Sequence, residues 1–193
     1  MGKAPIWEVI NLKVLIMSDT HGDTSFWEYI NDFLSEANFV IHAGDVLYHG
    51  PRNPLPAGYN PSKLAELINN SKPFFISKGN CDADVDQLVI KFPISSPYLL
   101  LYVNSLKIFV THGENRNEDD FFNLAELFDV DLLIFGHIHI PVLKERNKRI
   151  ILNPGSPALP KTEYKSVAFL DENKVSIIEI ISKKEIFSLE LTK

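Results

Sequence analysis

The sequence LKVLIMSDTHGD occupies residues 12–23 and decides how the rest of the chain is interpreted. Residues 12–18 form a short, mostly apolar run, which is typical of a buried strand. The run ends in Asp19-Thr20-His21-Gly22, where a carboxylate and an imidazole stand beside a glycine that permits a sharp turn. The pattern predicts a strand of an α/β sheet with chemically active side chains at its carboxyl end.

Helix and strand patterns alternate through the first half of the chain. They predict a helix over 24–36, a strand over 38–43, a helix over about 62–70 and a strand over 73–77. Thr24 or Ser25 fits the N-cap of the first helix, and Pro61 lies at the start of the second. This βαβαβ order predicts parallel strands joined by crossover helices.

The second half of the chain is richer in strands. A hairpin is expected over 97–111 with its turn at Asn104-Ser105, followed by a helix over 118–128 and a buried strand over 131–135. Beyond them the pattern predicts an antiparallel meander with strands over 140–146, 148–153, 165–170, 174–181 and 185–191. Together the two halves predict a mixed α/β fold in which two sheets pack face to face with helices outside.

The length and charge of the chain narrow its class. The 193 residues predict a single domain over 1–193, with residues 1–11 as an N-terminal extension. Nineteen Lys and Arg against 25 Asp and Glu give a net charge of −6, and without a basic run this disfavours non-specific binding of nucleic acid or anionic membranes.

The cysteine count and the apolar runs indicate the compartment. One cysteine, Cys81, excludes an internal disulfide and suits a reducing compartment. No apolar run approaches the roughly 20 residues of a membrane-spanning helix, and no signal-peptide pattern is present. A cytoplasmic location is therefore expected, with no membrane partner.

Five apolar runs end in the same way, with a polar residue of metal-ligand type beside a glycine. The five endings are Asp19-Thr20-His21-Gly22, Gly44-Asp45, Gly79-Asn80-Cys81-Asp82, His112-Gly113 and Gly136-His137-Ile138-His139. Because functional groups gather beyond the carboxyl ends of the strands in α/β sheets, we expect these side chains to lie together.

Four imidazoles, two carboxylates and an amide in one place predict a metal centre. Crowded imidazoles and carboxylates lose solvation energy unless a cation binds them. Seven ligands exceed the three or four of a single zinc site, but they suit two divalent metals about 3.5–4 Å apart with one bridging carboxylate. His137 and His139 diverge in an extended segment and could serve different metals. Such a centre would be cationic and would favour an anionic substrate.

The five endings in this order resemble the motifs of the calcineurin-like metallophosphoesterase superfamily, and most closely its bacterial phosphodiesterases of the YfcE type. The segment from Gly44 to Tyr59 is similar to the long loop of that subgroup, and Asn153-Pro154-Gly155-Ser156 also fits. The resemblance covers about residues 12–182. It implies a four-layer αββα sandwich of two mixed β-sheets flanked by helices.

The resemblance also implies a ligand set. Asp19, His21, Asp45 and His139 would hold one metal, and Asp45, Asn80, His112 and His137 the other, with Asp45 as the bridge. Manganese is the expected metal, with iron, nickel and zinc as alternatives that the same ligand types accept. Asn80 and His112 are also expected to take part in catalysis.

The implied activity is hydrolysis of small organic phosphodiesters by a metal-activated water. Two alternatives stay open at this point. One is a phosphomonoesterase, such as a nucleotide or protein phosphatase, and the other is a non-catalytic scaffold of the same fold. The resemblance leaves open a homo-oligomer.

Four further residues near the motifs are candidates for supporting roles. Cys81 stands where many relatives have a histidine that assists the leaving group, and it fits either a partly ionised thiol or an inert buried one. Asp82 could orient the catalytic block as a carboxylate behind the ligands. Arg52 fits a phosphate-binding or a solvated loop arginine, and His49 fits an outer-sphere acid or loop packing. His42 fits a core histidine better than a ligand.

Overall fold

The computed structural model of the protein describes residues 11–191. The N-terminal extension expected over residues 1–11 therefore lies almost entirely outside the described residues. The helices are α1 (Trp27–Glu36), α2 (Pro61–Asn69) and α3 (Glu118–Leu127), with a 3-10 helix at Asp84–Leu88. The strands are β1 (Lys13–Met17), β2 (Phe39–His42), β3 (Phe74–Ser77), β4 (Ile94–Ser95), β5 (Leu99–Val103), β6 (Leu106–Val110), β7 (Leu132–Ile134), β8 (Pro141–Arg146), β9 (Arg149–Pro154), β10 (Ser166–Asp171), β11 (Lys174–Glu179) and β12 (Glu185–Glu190).

The strands form two mixed sheets. The first has seven strands in the order β12-β11-β10-β1-β2-β3-β4, and β1 to β4 run parallel to one another. The second has five strands in the order β5-β6-β7-β9-β8, in which β6, β7 and β9 are parallel. Hairpin partners add antiparallel edges to both sheets.

Three apolar clusters show how the layers pack. Ile30 of α1, Phe26 immediately before this helix and Leu64 of α2 are buried against one face of the first sheet. A second cluster lies between the two sheets, and it includes Ile16 of the first sheet and Ile108 of the second sheet. The third cluster places α3 on the outer face of the second sheet. The order is helix, sheet, sheet, helix, which confirms the predicted four-layer fold.

One topological prediction is wrong. The expected continuous meander over 140–191 divides between the sheets, because β8 and β9 pair in the second sheet while β10 joins β1 in the first. Residues 166–170 are all buried, so this strand needs neighbours on both faces. In the first sheet, Val167 and Phe169 pack in the cluster on the helix side, and Ala168 and Leu170 pack in the cluster between the two sheets.

The structure differs from the sequence prediction at the start of the first helix and in two short elements. The first helix begins at Trp27, later than expected, because Ser25 donates to the Asp23 carboxylate instead of capping the helix. The second begins at Pro61 as expected, capped by the Asn60 side chain. Strand β4 and the 3-10 helix were not predicted, since two to five residues are too few for a periodic pattern. No helix of the described part has the length and apolar character needed to cross a membrane.

Candidate metal centre

Backbone hydrogen bonds join the strand ends that carry the predicted ligands. In the first sheet, Asp19 N–H donates to the carbonyl of Gly44 and His21 N–H to that of Asp45, each at 3.0 Å. In the second sheet, Gly136 N–H donates to the carbonyl of His112 at 3.0 Å. His137 N–H then donates across the sheets to Asp19 Oδ2 at 3.0 Å. The ligand-bearing loops of both sheets are thereby held in register with one another.

Five of the seven predicted ligands have left-handed backbone conformations. The φ angles lie between 45° and 70° at Asp19, His21, Asp45, His137 and His139. Asp and His enter this region more readily than most residues, but each such residue still carries strain, which concentrates at functional sites. The sharp turns after the strands are therefore made by the ligand residues themselves, and not by the adjacent glycines alone.

His21 and His139 form one group of donors. His21 Nδ1 donates to the carbonyl of Tyr48 at 2.8 Å, and His139 Nδ1 to that of Leu159 at 2.6 Å. Because a carbonyl only accepts, both protons sit on Nδ1 in the neutral rings and both Nε2 atoms carry a lone pair. The two Nε2 atoms are 3.1 Å apart. Two facing lone pairs at this distance repel unless a cation or a proton lies between them.

His112, His137 and Asn80 form a second group. His112 Nδ1 donates to the carbonyl of Ala43 at 2.8 Å, so in the neutral ring its Nε2 carries the lone pair. That Nε2 lies 3.1 Å from Asn80 Oδ1 and 3.3 Å from His137 Nδ1. His137 Nδ1 is in turn 2.8 Å from Asn80 Oδ1. Three potential metal ligands therefore converge from three different strand ends.

Asp45 lies between these two groups. Its Oδ2 is 3.8 Å from His21 Nε2 on one side and 3.3 Å from His112 Nε2 on the other. Its Oδ1 accepts a hydrogen bond from Cys81 N–H at 2.8 Å. Asp45 is therefore in position to be shared by both donor groups, and Asp19 Oδ1, 3.7 Å from His21 Nε2 and 4.0 Å from His112 Nε2, lies close to both as well.

The donor set fits divalent metals. Asp19 Oδ1 is buried and accepts no hydrogen bond from a described residue, although His139 Nε2 lies 3.2 Å away. A buried carboxylate oxygen is rarely left in this condition. Donor atoms of Asp19, His21 and His139, and likewise of Asp19, Asp45 and His112, all lie within 4.8 Å of one another. Neutral imidazole and carboxylate are the ligand types that zinc, manganese, iron and nickel accept.

The pKa values of the clustered histidines reflect burial and the nearby carboxylates. Burial lowers the pKa of His21 and of His137, so both rings are neutral at pH 7. Burial also acts to lower the pKa of His112, but the carboxylates of Asp45 and Asp19 outweigh it and raise that pKa to about 9. The carboxylates thus favour a positive charge at this position, which a proton or a metal can supply.

Asp82 supports Asp45 from behind. Its Oδ2 accepts from the N–H groups of Gly79 and Asp45 at 2.8 and 2.9 Å, and its Oδ1 from Val46 N–H at 2.7 Å. This one buried carboxylate therefore joins the loop after β3 to the loop after β2. Burial raises its pKa, while the three N–H donors favour the charged form.

His42 supports the same loops without facing the donors. Gly44 N–H donates to His42 Nδ1 at 3.1 Å, so Nε2 carries the proton and donates to Thr20 Oγ1 at 3.0 Å. Thr20 Oγ1 then donates to the carbonyl of Val46 at 3.0 Å. The ring is fully buried, and burial lowers its pKa to about 3.

The segment Asn153–Ser156 has a supporting role that the sequence did not reveal. Asn153 Nδ2 donates to the carbonyl of Gly136 at 2.7 Å, and Ser156 Oγ donates to that of Asp19 at 2.7 Å. The segment holds the loop before His137 and the loop of Asp19, one from each sheet. No periodic pattern marks such contacts, since they depend on how the sheets pack.

The donors open into a polar cavity of about 580 Å³. Asp45, Asn80, His137 and His139 line it, together with exposed Arg52. Lys161, a residue that the sequence analysis missed, is a second exposed cation in the lining, and its backbone N–H donates to the carbonyl of His139 at 3.0 Å. Lys161 lies five residues after the segment Asn153–Ser156, and this proximity to a motif was the one feature of the sequence that could have marked it.

Two further candidates occupy different positions. Cys81 lines the polar cavity, and its Sγ belongs to a group within 4.8 Å together with donor atoms of His21 and Asp45. Burial and then the Asp45 charge raise the pKa of this thiol to about 12, so it stays protonated. His49 packs edge-on against the rings of Tyr48 and Tyr59 and is absent from the lining of this cavity.

The four-layer fold and the clustered imidazole and carboxylate donors together define a metal-dependent hydrolase of the α/β class. More narrowly, the chain belongs to the calcineurin-like phosphoesterase superfamily, whose domain matches residues 12–174.

Known proteins agree with this assignment. Phosphodiesterase YfcE of Escherichia coli strain K12 is 36% identical over 173 residues, which cover 88% of this chain and 92% of YfcE. The solved structure of the Escherichia coli phosphoesterase Yfce superposes with a TM-score of 0.80 at 31% identity, over 94% of this chain and all of that one. Vacuolar Protein Sorting 29 of Cryptosporidium parvum shares the fold alone, with a TM-score of 0.70 at 21% identity over 95% of this chain and 99% of that one.

Proposed function

We propose that this protein is a phosphodiesterase that hydrolyses small organic phosphodiesters at a centre of two divalent metals. The observation that carries the proposal is the position of Asp45 Oδ2 between two groups of donors, 3.8 Å from His21 Nε2 and 3.3 Å from His112 Nε2. A carboxylate shared in this way is the expected bridge of a two-metal site. The identity to phosphodiesterase YfcE supports the diester as substrate.

The residues would divide as the resemblance implies. Asp19, His21, Asp45 and His139 would hold one metal, and Asp45, Asn80, His112 and His137 the other. Bound divalent metals supply the acidity that activates water and the charge that balances the phosphoryl oxygens. Manganese is the metal that we propose, because imidazole, carboxylate and amide ligands without thiolate accept it.

The protein itself contributes orientation and charge. The Nδ1 hydrogen bonds of His21, His112 and His139 to backbone carbonyls fix each ring and leave each Nε2 free to bind. Asp82 holds the backbone N–H groups around Asp45, which keeps that carboxylate between the two donor groups. His112 and Asn80 also lie beside the substrate cavity, where Asn80 contributes to its lining.

Positive charge in the polar cavity would help to bind the substrate. Arg52 and Lys161 line the polar cavity and favour an anionic group within it. Cys81 stands in the position at which many relatives have a histidine that assists the leaving group, and a thiol is not an efficient replacement for that imidazole. Esters with acidic leaving groups should therefore react fastest.

The test is turnover of bis-p-nitrophenyl phosphate by protein stripped with a chelator and then given Mn²⁺. We expect no turnover before the metal is added and restored turnover afterwards, with the diester cleaved faster than p-nitrophenyl phosphate. A faster monoester would move the function to a phosphomonoesterase. No restored turnover with manganese, iron, nickel or zinc would favour the scaffold.

A matched pair of variants tests the site. Asp45→Asn should abolish turnover, because a neutral amide cannot serve as the shared anionic ligand. Asp84→Asn is the control, since its side chain is exposed and, within residues 11–191, forms an ion pair with Lys78. Full activity of Asp45→Asn would contradict the proposed centre.

We further propose a cytoplasmic enzyme whose partner is its small-molecule substrate. A reducing compartment is supported by the single cysteine, which forms no disulfide. The net charge of −6 supports the absence of non-specific nucleic-acid binding. Whether the chain forms a homo-oligomer can be measured by light scattering.

A further inference from the structure

A second cavity lies beside the candidate metal centre. It has a volume of about 860 Å³ and is lined by α2, by the loop after β2 and by the 3-10 helix at Asp84–Leu88. Tyr48 and Cys81 line both this cavity and the polar one. The two cavities therefore adjoin at these two side chains.

The second cavity has the wrong chemistry for an anion. Its walls include the rings of Tyr48 and Tyr59 and two valines that are strongly exposed, Val85 at 60% and Val89 at 52%. Exposed apolar side chains gathered at a concave surface are typical of a binding site.

The charges of this cavity point the same way. Its ionisable lining residues are Glu66 and Asp86, together with the two tyrosines and Cys81, and no Lys or Arg is among the described residues of the lining. A further phosphate would meet only negative charge here, whereas an uncharged apolar group would cover exposed valine and tyrosine surface.

The metal donors lie one side chain away. Cys81 Sγ is within 4.8 Å of donor atoms of His21 and Asp45, and the same residue forms part of the apolar wall. The cations Arg52 and Lys161 lie in the polar cavity, on the other side of this boundary. A phosphodiester whose anionic phosphoryl group sits at the donors has two ester groups, so one of them can extend past Cys81 and Tyr48.

We propose that this apolar cavity is the subsite for an uncharged aryl or similarly apolar ester group of the substrate. The inference rests on the proposed function for the identity of the substrate, and it narrows the substrate class to diesters with one bulky apolar group. Binding energy gained in the apolar cavity would distinguish such diesters from those that carry only small alkyl or charged groups.

The experiment compares two stable phosphonates, phenylphosphonate and methylphosphonate, by calorimetric titration of the protein loaded with Mn²⁺. The two probes share an anionic head group and differ in one apolar group. We expect phenylphosphonate to bind at least about tenfold more tightly, because the ring leaves water for the apolar wall. Equal affinities would overturn the inference.

Matched variants locate the effect. Val89→Glu should reduce the affinity ratio of the two phosphonates to about threefold or less, and Val85→Glu should act in the same direction. Both side chains are exposed, so neither change disturbs the core. Leu88→Glu is the control, because this residue is 82% exposed on the same 3-10 helix and is not part of the lining. A ratio that persists in both valine variants would contradict the subsite.

Two further measurements separate this inference from the function itself. Turnover of bis-p-nitrophenyl phosphate without a preference for phenylphosphonate would leave the phosphodiesterase intact and refute the subsite. If phenylphosphonate binds more tightly, Val89→Glu removes this difference and no diester is turned over, the apolar cavity is supported as a binding site and the proposed enzymatic function is refuted. If Val89→Glu instead converts a dimer to a monomer in light scattering, the surface is an interface between copies and the subsite is wrong.

Discussion

Replacement of Asp82 by Asn tests how strongly one carboxylate holds the candidate centre together. The side chain is 6% exposed and accepts three backbone N–H bonds, two at Oδ2 from Gly79 and Asp45 and one at Oδ1 from Val46. An amide has one acceptor oxygen and one NH2 group. Its better orientation keeps the oxygen on Gly79 and Asp45 and turns the NH2 group against the N–H of Val46.

The magnitude follows from these contacts. A hydrogen bond to a charged group contributes about 1.5–3 kcal/mol, and a buried N–H left without an acceptor costs about 1–3 kcal/mol. Because burial opposes the charge on Asp82, as its raised pKa shows, the neutral amide recovers part of the sum. We expect a net loss of about 3 kcal/mol in the free energy of unfolding. Turnover should fall by about 10- to 100-fold as the loop of Asp45 relaxes.

The assay is urea denaturation at pH 7 together with turnover of bis-p-nitrophenyl phosphate at saturating Mn²⁺. Asp84→Asn makes the same chemical change two residues away, where the carboxylate is exposed. Its denaturation midpoint and turnover should match those of the wild type. The reasoning is refuted if Asp82→Asn is as stable and as active as Asp84→Asn.

Three other outcomes are expected. Gly79→Ala should abolish turnover and destabilise the fold, since a Cβ there would overlap the backbone N and Oδ1 of Asp45; retained activity would show that the two loops can separate. In chelated protein, His42 should make the free energy of unfolding rise with pH between pH 3 and 6.5, by up to about 1.4 kcal/mol per pH unit. In this range the buried ring stays neutral in the folded state, while the exposed ring of the unfolded state binds a proton. The urea midpoints of His42→Gln at pH 5 and pH 7 should therefore differ less than those of the wild type. Lys161→Met should raise the KM for the diester at low salt with little change in kcat, and an unchanged KM would remove Lys161 from substrate binding.

Much of the fold follows from local pattern. The apolar runs at β1, β2, β3, β6 and β7 were predicted from the sequence, because strands buried on both faces are apolar along their length. The sheet to which β10 belongs could not be predicted in this way. Its buried run fits the centre of either sheet, and only the packing of the whole chain places it beside β1.

The candidate site also has a part that the sequence predicted and a part that it did not. Ligand-type residues at five strand ends predicted which side chains would gather, since their order along the chain and the α/β fold bring those ends together. The supporting contacts from Asn153 to Gly136 and from Ser156 to Asp19 join segments that are far apart in sequence. Hydrogen bonds of this kind depend on the final distance between two loops, which leaves no periodic trace.

The sequence by itself determined the class of the protein and the chemical types of its candidate metal ligands, because both depend on residue identity and on short-range periodicity. Only the tertiary structure decided that Asp45 Oδ2 lies between the Nε2 atoms of His21 and His112, and that Lys161 and a second, apolar cavity lie beside them. The reason is physical. Tautomers, shared ligands and cavities are set by distances of a few ångströms between distant segments, and packing alone fixes those distances.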